Sequence, residues 1–291
     1  MVKKISDLFV DARKSLLAVE EPDRATMVAR NLLAHVTGKT QAQIVADREM
    51  YVGDDVCAAM DAAVSRLLAD EPLAYVLGEW DFYGMTLHVD HHVLIPRDDT
   101  VAVTELAIKK ALFLDQSPRI LDLCTGSGCI GLAVASRVRD ARITLADISK
   151  DALAVAKKNI TAQHQTGRVM CVQADALGKP TAFLGKFDMI ISNPPYITGA
   201  DMLELDDSVK LYEPHLALFG GQDGLDFYRS IAVNYSAALK PGGFLCLEFG
   251  DDQGDDVCRI LEDNGYTILE RSRDYNDRER AVLAQYGRKE D

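Results

Sequence analysis

The patterning of the chain predicts an α/β fold: an open, mostly parallel sheet with helices on both faces, preceded by a small helical domain. Three observations carry that prediction. Apolar residues recur at three-to-four spacing over residues 5–72, helix-like and strand-like runs alternate from Asp99 onward, and one Gly-rich turn sits between an apolar strand and a helix. The 291 residues are 48% hydrophobic and 26% charged, which suits a folded chain and neither a disordered one nor a coiled coil. That length is one large domain or two ordinary ones, enough to bury a core without disulfide or metal staples.

The elements follow in order. Leu8, Ala12 and Leu16, then Met27, Val28, Leu32, Leu33 and Val36, mark helical faces. Breaks at Glu21-Pro22, Gly38 and Gly53 divide the stretch into four helices, giving a helical domain over residues 1–73. Tyr75 to Leu77, Trp80 to Gly84, Met85 to Val89 and His92 to Pro96 read as short strands with tight turns, a β-hairpin linker over 74–97. Residues 98–291 form the third segment. Helices are expected near 99–114, 128–138 and 150–164, with strands at 119–123, 142–146, 169–173, 187–192, 243–248, 266–270 and 280–286. Ligands of such sheets bind beyond the C-terminal ends of the strands.

Charge narrows the partners. Thirty-two Lys and Arg stand against 45 Asp and Glu, a net charge of −13, which opposes a phosphate backbone, so no direct nucleic-acid binding is expected. No apolar run reaches the roughly 18 residues of a membrane span, and the start, Met-Val-Lys-Lys-Ile-Ser-Asp-Leu, is too charged for a signal peptide, so a cytoplasmic protein is expected. Six cysteines without a Cys-x-x-Cys pair read as reduced core thiols. The one histidine cluster, His88, His91 and His92, suits a polar hairpin better than a closed metal site, and no metal is expected.

The chemistry concentrates at strand ends. Ile120 to Gly131 takes a buried strand through a glycine turn into a helix, and Gly126 and Gly128 let backbone approach a ligand where a Cβ would obstruct. The spacing also satisfies Gly-x-Gly-x-x-Gly, a weak dinucleotide signal alone. Asp147 ends the next strand, where a carboxylate can meet ribose hydroxyls or cap the following helix. Asp175, after the third strand, can accept from an adenine amino group or be a solvated loop residue. The fourth strand runs into Asn193-Pro194-Pro195-Tyr196. Two prolines hold the backbone extended, so the Asn193 side-chain oxygen and the Pro194 carbonyl form two acceptors suited to both hydrogens of a planar NH₂ group. Tyr196 can lie along the plane of that group.

At these residues the chain resembles the class I S-adenosylmethionine-dependent methyltransferases that act on planar nitrogen. Among them it resembles the HemK/PrmC glutamine methyltransferases of peptide chain release factors. The likeness also covers Val93 to Thr100, Asp122 to Gly128, Asn159, Glu213-Pro214, Gly220 to Gly224, Leu239 to Gly243, Leu247-Glu248, and Arg273 to Tyr275 before Arg278 to Arg280. Asp98-Asp99-Thr100 lacks a proline usual in that family, and Cys124 stands where a small residue is usual.

The resemblance implies a Rossmann-like sheet with an antiparallel last strand, and S-adenosylmethionine as methyl donor, leaving S-adenosylhomocysteine. It assigns Thr125, Gly126, Ser127, Gly128, Asp147, Asp175 and Asn193 to the donor, Asn193, Pro194 and Tyr196 to catalysis, and Asn193 to Tyr196 with Arg97 to the substrate. The substrate implied is the glutamine of the Gly-Gly-Gln motif in class I release factors. The helical domain over residues 1–73 holds no donor-binding or amide-gripping motif, so it is expected to choose the protein partner, the alternative being that it only covers an edge of the catalytic sheet. An adenine-N6 DNA or RNA methyltransferase is the main alternative. An NAD-dependent oxidoreductase leaves Asn-Pro-Pro-Tyr unexplained, and a non-catalytic binding module would need a blocked cofactor pocket.

Overall fold

A computed structural model describes residues 2–114 and 117–287. The chain divides into two compact units, Met1–Gly78 with Asp207–Tyr212, and Glu79–Asp206 with Glu213–Asp291.

The first unit is helical. α1 (Ile5–Leu16) buries Ile5, Leu8, Ala12 and Leu16, a single stripe at helical spacing. α2 (Pro22–Thr37) starts with proline in its first turn and ends at Gly38 in the left-handed conformation. α3 (Gln41–Ala46) opens with a Thr40–Gln43 capping box. α4 (Asp54–Leu68) buries Cys57, Met60, Ala63 and Val64. Two-residue strands β1 (Lys3–Lys4) and β2 (Tyr51–Val52) pair antiparallel, and the late helix α9 (Asp207–Tyr212, in chain order) adds a Tyr212 hydroxyl that donates to the Ala69 carbonyl at 2.6 Å. Leu8, Leu16, Leu32, Leu33 and Met60 form the heart of this unit's core.

Two expected strands are not strands. Tyr75 to Leu77 lies in the short helix α5 (Leu73–Leu77): the Pro72 carbonyl accepts from Tyr75 and Val76 N–H at 3.0 and 3.1 Å, and left-handed Gly78 closes the turn. An apolar run this short carries no decisive period, and the flanking proline and glycine bracket one helical turn. His92 to Pro96 is irregular. A turn closes from Val93 N–H to the Asp90 carbonyl at 3.0 Å, and the Ile95 N–H donates to the Glu213 carboxylate at 3.2 Å, so side-chain contacts replace a strand ladder.

The second unit opens with a hairpin, β3 (Glu79–Phe82) and β4 (Met85–His88), whose turn residues Tyr83 and Gly84 both have positive φ as a two-residue hairpin turn requires. The main sheet contains β5 (Arg119–Leu123), β6 (Arg142–Asp147), β7 (Val169–Gln173), β8 (Phe187–Ser192), β9 (Leu239–Glu248), β10 (Tyr266–Arg273) and β11 (Glu279–Tyr286). Their order is β10-β11-β9-β8-β5-β6-β7, parallel from β9 to β7, with β11 antiparallel to both neighbours. β9 begins at Leu239, four residues before the expected start, and a register irregularity opposite Phe187 to Met189 accommodates Pro241 and its glycines.

Side chains alternate between two cores. Ile120, Met189, Ile191 and Cys246 pack with α6 (Val101–Ala111), α7 (Cys129–Arg137) and α8 (Lys150–Ala162). Leu121, Ile190, Leu245 and Leu247 pack with α10 (Asp226–Asn234) and α11 (Gly254–Asp263). Burial on both faces explains why these strands read as near-continuous apolar runs. The six cysteines are free thiols, four of them buried. Among the described residues no helix is long and apolar enough to cross a membrane. The strand order reverses between β5 and β8, which puts the ends of those two strands at the sheet's switch point.

Candidate methyl-transfer site

The turn after β5 uses main-chain N–H groups, each with a defined acceptor. Thr125 N–H donates to the Ala146 carbonyl at 3.0 Å, and Gly126 N–H to Asp147 Oδ2 at 2.9 Å. Gly126 and Gly128 have φ of +53° and +85°, and Cys124 has +59° without being glycine. Asp122 sits beneath, fully buried, accepting from the Thr125 hydroxyl at 2.6 Å and from Gly131 N–H at 2.9 Å. Burial pushes its carboxyl up to about 7. Its Oδ1 and the buried Ser127 hydroxyl have no hydrogen-bond partner.

Asp147 Oδ1 accepts from Ser149 N–H at 3.0 Å, and burial raises the pKa of this carboxyl too. The cap of α8 is Ser149, whose hydroxyl accepts from Ala152 N–H, so the helix-cap role open to Asp147 in the sequence falls to its neighbour. Asp175 accepts from Leu177 N–H at 2.8 Å with Oδ1, while its own carbonyl takes the Tyr235 hydroxyl.

A cavity of about 130 Å³ brings Gly126, Asp147, Asp175, Asn193 and Pro195 onto one lining, with Cys124, Ile148, Leu177 and Phe227 as apolar walls. Thr125, Ser127, Gly128, Pro194, Tyr196 and Arg97 stand outside that lining. Arg97 is half-exposed and ion-paired with Glu213, a carboxylate that also accepts from Ile95 N–H and thereby ties 95–97 to 213. Asp90, His91 and His92 bring ligand-type atoms within 4.8 Å of one another, with His88 outside the group. The Asp90 carboxylate there is engaged by His92 N–H at 3.0 Å and lies 2.9 Å from its Nδ1.

The segment after β8 is held from several sides. The Ser192 hydroxyl donates to the Leu123 carbonyl at 2.6 Å, joining the two strand ends. Ile197 N–H donates to the Leu218 carbonyl and Gly220 N–H to the Ile197 carbonyl, both at 2.9 Å. A Cβ on Gly220 would lie 2.6 Å from Tyr196 Cα, so only glycine allows this approach. Asn193 Nδ2 donates to the Thr100 hydroxyl at 3.3 Å. The Glu248 carboxyl is buried at the end of β9, its Oε2 has no hydrogen-bond partner, and desolvation pushes it up to about 8. Arg280 is nearly buried between Asp274, at 2.9 Å, and Asp99, at 3.2 Å. Desolvation raises the pKa of the Tyr196 phenol, so it stays protonated.

Sequence reasoning assigned no individual role to Thr100, Asn159, Glu213, Glu248 or Arg280. Asn159 is buried, donates to the Ser127 and His88 carbonyls at 2.9 and 3.0 Å and accepts from His88 N–H, tying the hairpin to the glycine turn. Glu248 carried a readable signal, a lone acid closing an apolar strand, the same signal that singled out Asp147.

Sheet order and strand-end turns define a methyltransferase of the class I type. Residues 103–207 match the methyltransferase small domain, and residues 7–78 match the PrmC N-terminal domain. The chain is 37% identical over 256 residues to a release factor glutamine methyltransferase of Clostridium acetobutylicum, covering 88% of this chain and 90% of that protein. It is 39% identical over 279 residues to one of Chlorobaculum tepidum, covering 93% and 94%. A methyltransferase structure from Pyrococcus furiosus superposes with a TM-score of 0.51 at 18% identity, covering 77% of this chain and 98% of that one, a likeness of fold. The chain belongs to the family of release factor glutamine methyltransferases.

Proposed function

We propose that the protein transfers a methyl group from S-adenosylmethionine to the side-chain amide nitrogen of the glutamine in the Gly-Gly-Gln motif of class I peptide chain release factors, in the cytoplasm. The carrying observation is the Asn193 to Tyr196 turn at the end of β8, beside a cavity that Gly126, Asp147 and Asp175 also line. Relatives named for this activity, similar over most of the chain, support the reading.

The cavity suits the donor chemically. Carboxylates at two strand ends fit ribose hydroxyls, an adenine amino group and a cationic sulfonium, and apolar walls fit a purine plane. Asp147 would hold the ribose, Asp175 the adenine, and the Thr125 to Gly128 turn the remainder. When bound, S-adenosylmethionine supplies a methyl group on a positively charged sulfur and leaves as S-adenosylhomocysteine.

The chain's own task is to make an amide nitrogen reactive, because its lone pair is delocalised into the carbonyl. With Asn193 Nδ2 engaged by Thr100, Oδ1 is the acceptor this side chain offers. Together with the Pro194 carbonyl it takes both amide hydrogens, turns the face of the nitrogen outward and permits slight pyramidalisation. Such positioning lowers barriers by several kcal/mol, up to about 7–11 in intramolecular systems. Tyr196, as a neutral phenol, lies along the amide plane. The N-methylated amide cation formed on transfer is strongly acidic and gives its proton to water or to either acceptor, so no dedicated base and no metal are assigned. Residues 1–73 choose the partner and residues 98–291 carry the transfer. The match of residues 7–78 to a distinct N-terminal domain supports that division.

The test supplies labelled S-adenosylmethionine with a release factor, an unrelated protein, or duplex DNA. Label is expected in the release factor glutamine alone. Label in the DNA adenines would establish the alternative, against which the −13 charge weighs.

A further inference from the structure

We infer that Gln253 is a positioning residue for the Asn193 to Tyr196 turn, holding the Tyr196 end through its main-chain carbonyl while Thr100 holds the Asn193 end. The inference rests on the reading of that turn as the grip on the substrate amide.

Gln253 stands at the N-cap position of α11, where a short polar side chain usually accepts from the first turn of the helix, yet its side chain makes no cap hydrogen bond. It is 8% exposed and turns inward instead. Oε1 accepts from Gly250 N–H at 3.0 Å, and Nε2 donates to the Tyr196 carbonyl at 3.1 Å and, at a longer 3.4 Å, to the Gly224 carbonyl. One amide thus meets main-chain groups from three loops, those after β8, before α10 and after β9. Both of its ends are spent, so its partners fix its orientation: two carbonyls need the NH₂ end and one N–H needs the oxygen.

The prolines pass that hold along the turn. Pro194 and Pro195 each have φ fixed by the ring, so the run from Asn193 to Tyr196 is short and stiff, and holding both ends sets the Pro194 carbonyl between them. Asn193 is held by Thr100 Oγ1 at 3.3 Å. The main-chain bonds to Leu218 and Gly220 begin one residue further on, at Ile197, whereas the Tyr196 carbonyl is taken by Gln253. The approach is close: a Cβ on Gly224 would lie 2.5 Å from Gln253 Nε2 and closer still to the Tyr196 oxygen. Gln253, Gly224 and Tyr196 all stand outside the lining of the cavity that Gly126 and Asp147 share, so this support belongs to the substrate side of the site and not to the donor side.

The test compares wild type with Gln253→Met, which keeps the length and loses all three bonds, and with Gln253→Glu, which when ionised keeps an acceptor for Gly250 but has no hydrogen for either carbonyl. Rates are expressed per donor-binding site counted by calorimetry, so that unfolded chain is not read as lost catalysis. Each variant should lower kcat by about 10–10²-fold, as small misplacements at a reacting centre do, while S-adenosylmethionine affinity stays within about twofold and KM for the release factor within about threefold. Protonation gives the glutamate an O–H donor, so the rate of Gln253→Glu relative to wild type should climb as pH falls, and that of Gln253→Met should not. A glutamine that serves packing alone would lower the melting temperature of both variants and leave kcat per site and its pH profile as in wild type. That result in either folded variant overturns the inference alone. Wild type is read first, and if it transfers no methyl group to a release factor, the proposed function fails and the inference falls with it.

Discussion

After β5 the chain turns on glycines and presents main-chain N–H groups to carboxylates, whereas after β8 it turns on prolines and has no N–H to give at two successive positions. In the first turn the partners are near at hand: Thr125 and Gly131 reach Asp122, and Gly126 reaches Asp147 at the next strand end. In the second, Asn193 is held by Thr100, 93 residues earlier in the chain, and the hydroxyl of Ser192 beside it reaches back 69 residues to the Leu123 carbonyl. A turn whose atoms are backbone finds its partners on its own strand and the next one. One that presents a single side chain in one orientation must recruit its supports from wherever the fold brings them.

That difference predicts separable failures. Asn193→Ala should lose the most, about 10²–10³-fold in kcat, in the range seen when one preorganised hydrogen-bonding group is removed, with S-adenosylmethionine affinity nearly unchanged. Isothermal titration beside initial rates measures both. A normal rate in this variant would remove Asn193 from the reaction and leave the second turn without a chemical role.

Asp147→Ala should fail the other way, weakening donor binding by about 1.5–3 kcal/mol through lost charge-assisted hydrogen bonds. Unchanged affinity would move the donor away from the first turn.

Glycines within the first turn separate further. A Cβ on Gly126 meets nothing within 4 Å, whereas one on Gly131 would fall 2.3 Å from Leu145 Cδ2 and 2.9 Å from Asp122 Oδ2. Gly131→Ala should therefore lower the melting temperature, at an overpacking cost of about 1–3 kcal/mol set against up to about 1 kcal/mol of helix propensity regained. Gly126→Ala should keep more of that stability and show its effect in donor affinity. Equal thermal shifts in the two variants would mean that Gly126 is as structural as Gly131.

These contrasts also explain what the sequence could and could not tell. The parallel strands were legible because burial on both faces leaves uninterrupted apolar runs such as Met189-Ile190-Ile191. Gly126, Asp147 and Asn193 were legible because each stands at the end of such a run. Tyr75 to Leu77 misled because three apolar residues fit a strand and a helical turn equally well. His92 to Pro96 misled because its Ile95 N–H is satisfied by Glu213, 118 residues away. Thr100 sits in a helical turn with no pattern of its own, so only the fold reveals what its hydroxyl touches.

The smallest expected effect asks whether Asp122 serves the first turn as a charge or as a shape. Its carboxyl is raised to about 7 by desolvation, against the opposing hydrogen bonds from Thr125 and Gly131. A carboxyl whose folded pKa lies above its unfolded value stabilises the fold fully at low pH and loses that contribution as pH rises. For Asp122 the loss spans the interval from about pH 4, where the unfolded group titrates, up to about 7. Asp122→Asn cannot ionise yet keeps an oxygen for Thr125 and Gly131. Unfolding free energies from urea melts should fall more steeply across that window in wild type than in the variant. Parallel curves would mean that the Asp122 carboxyl binds no more protons in the folded chain than in the unfolded one, so that it serves the first turn as a charge.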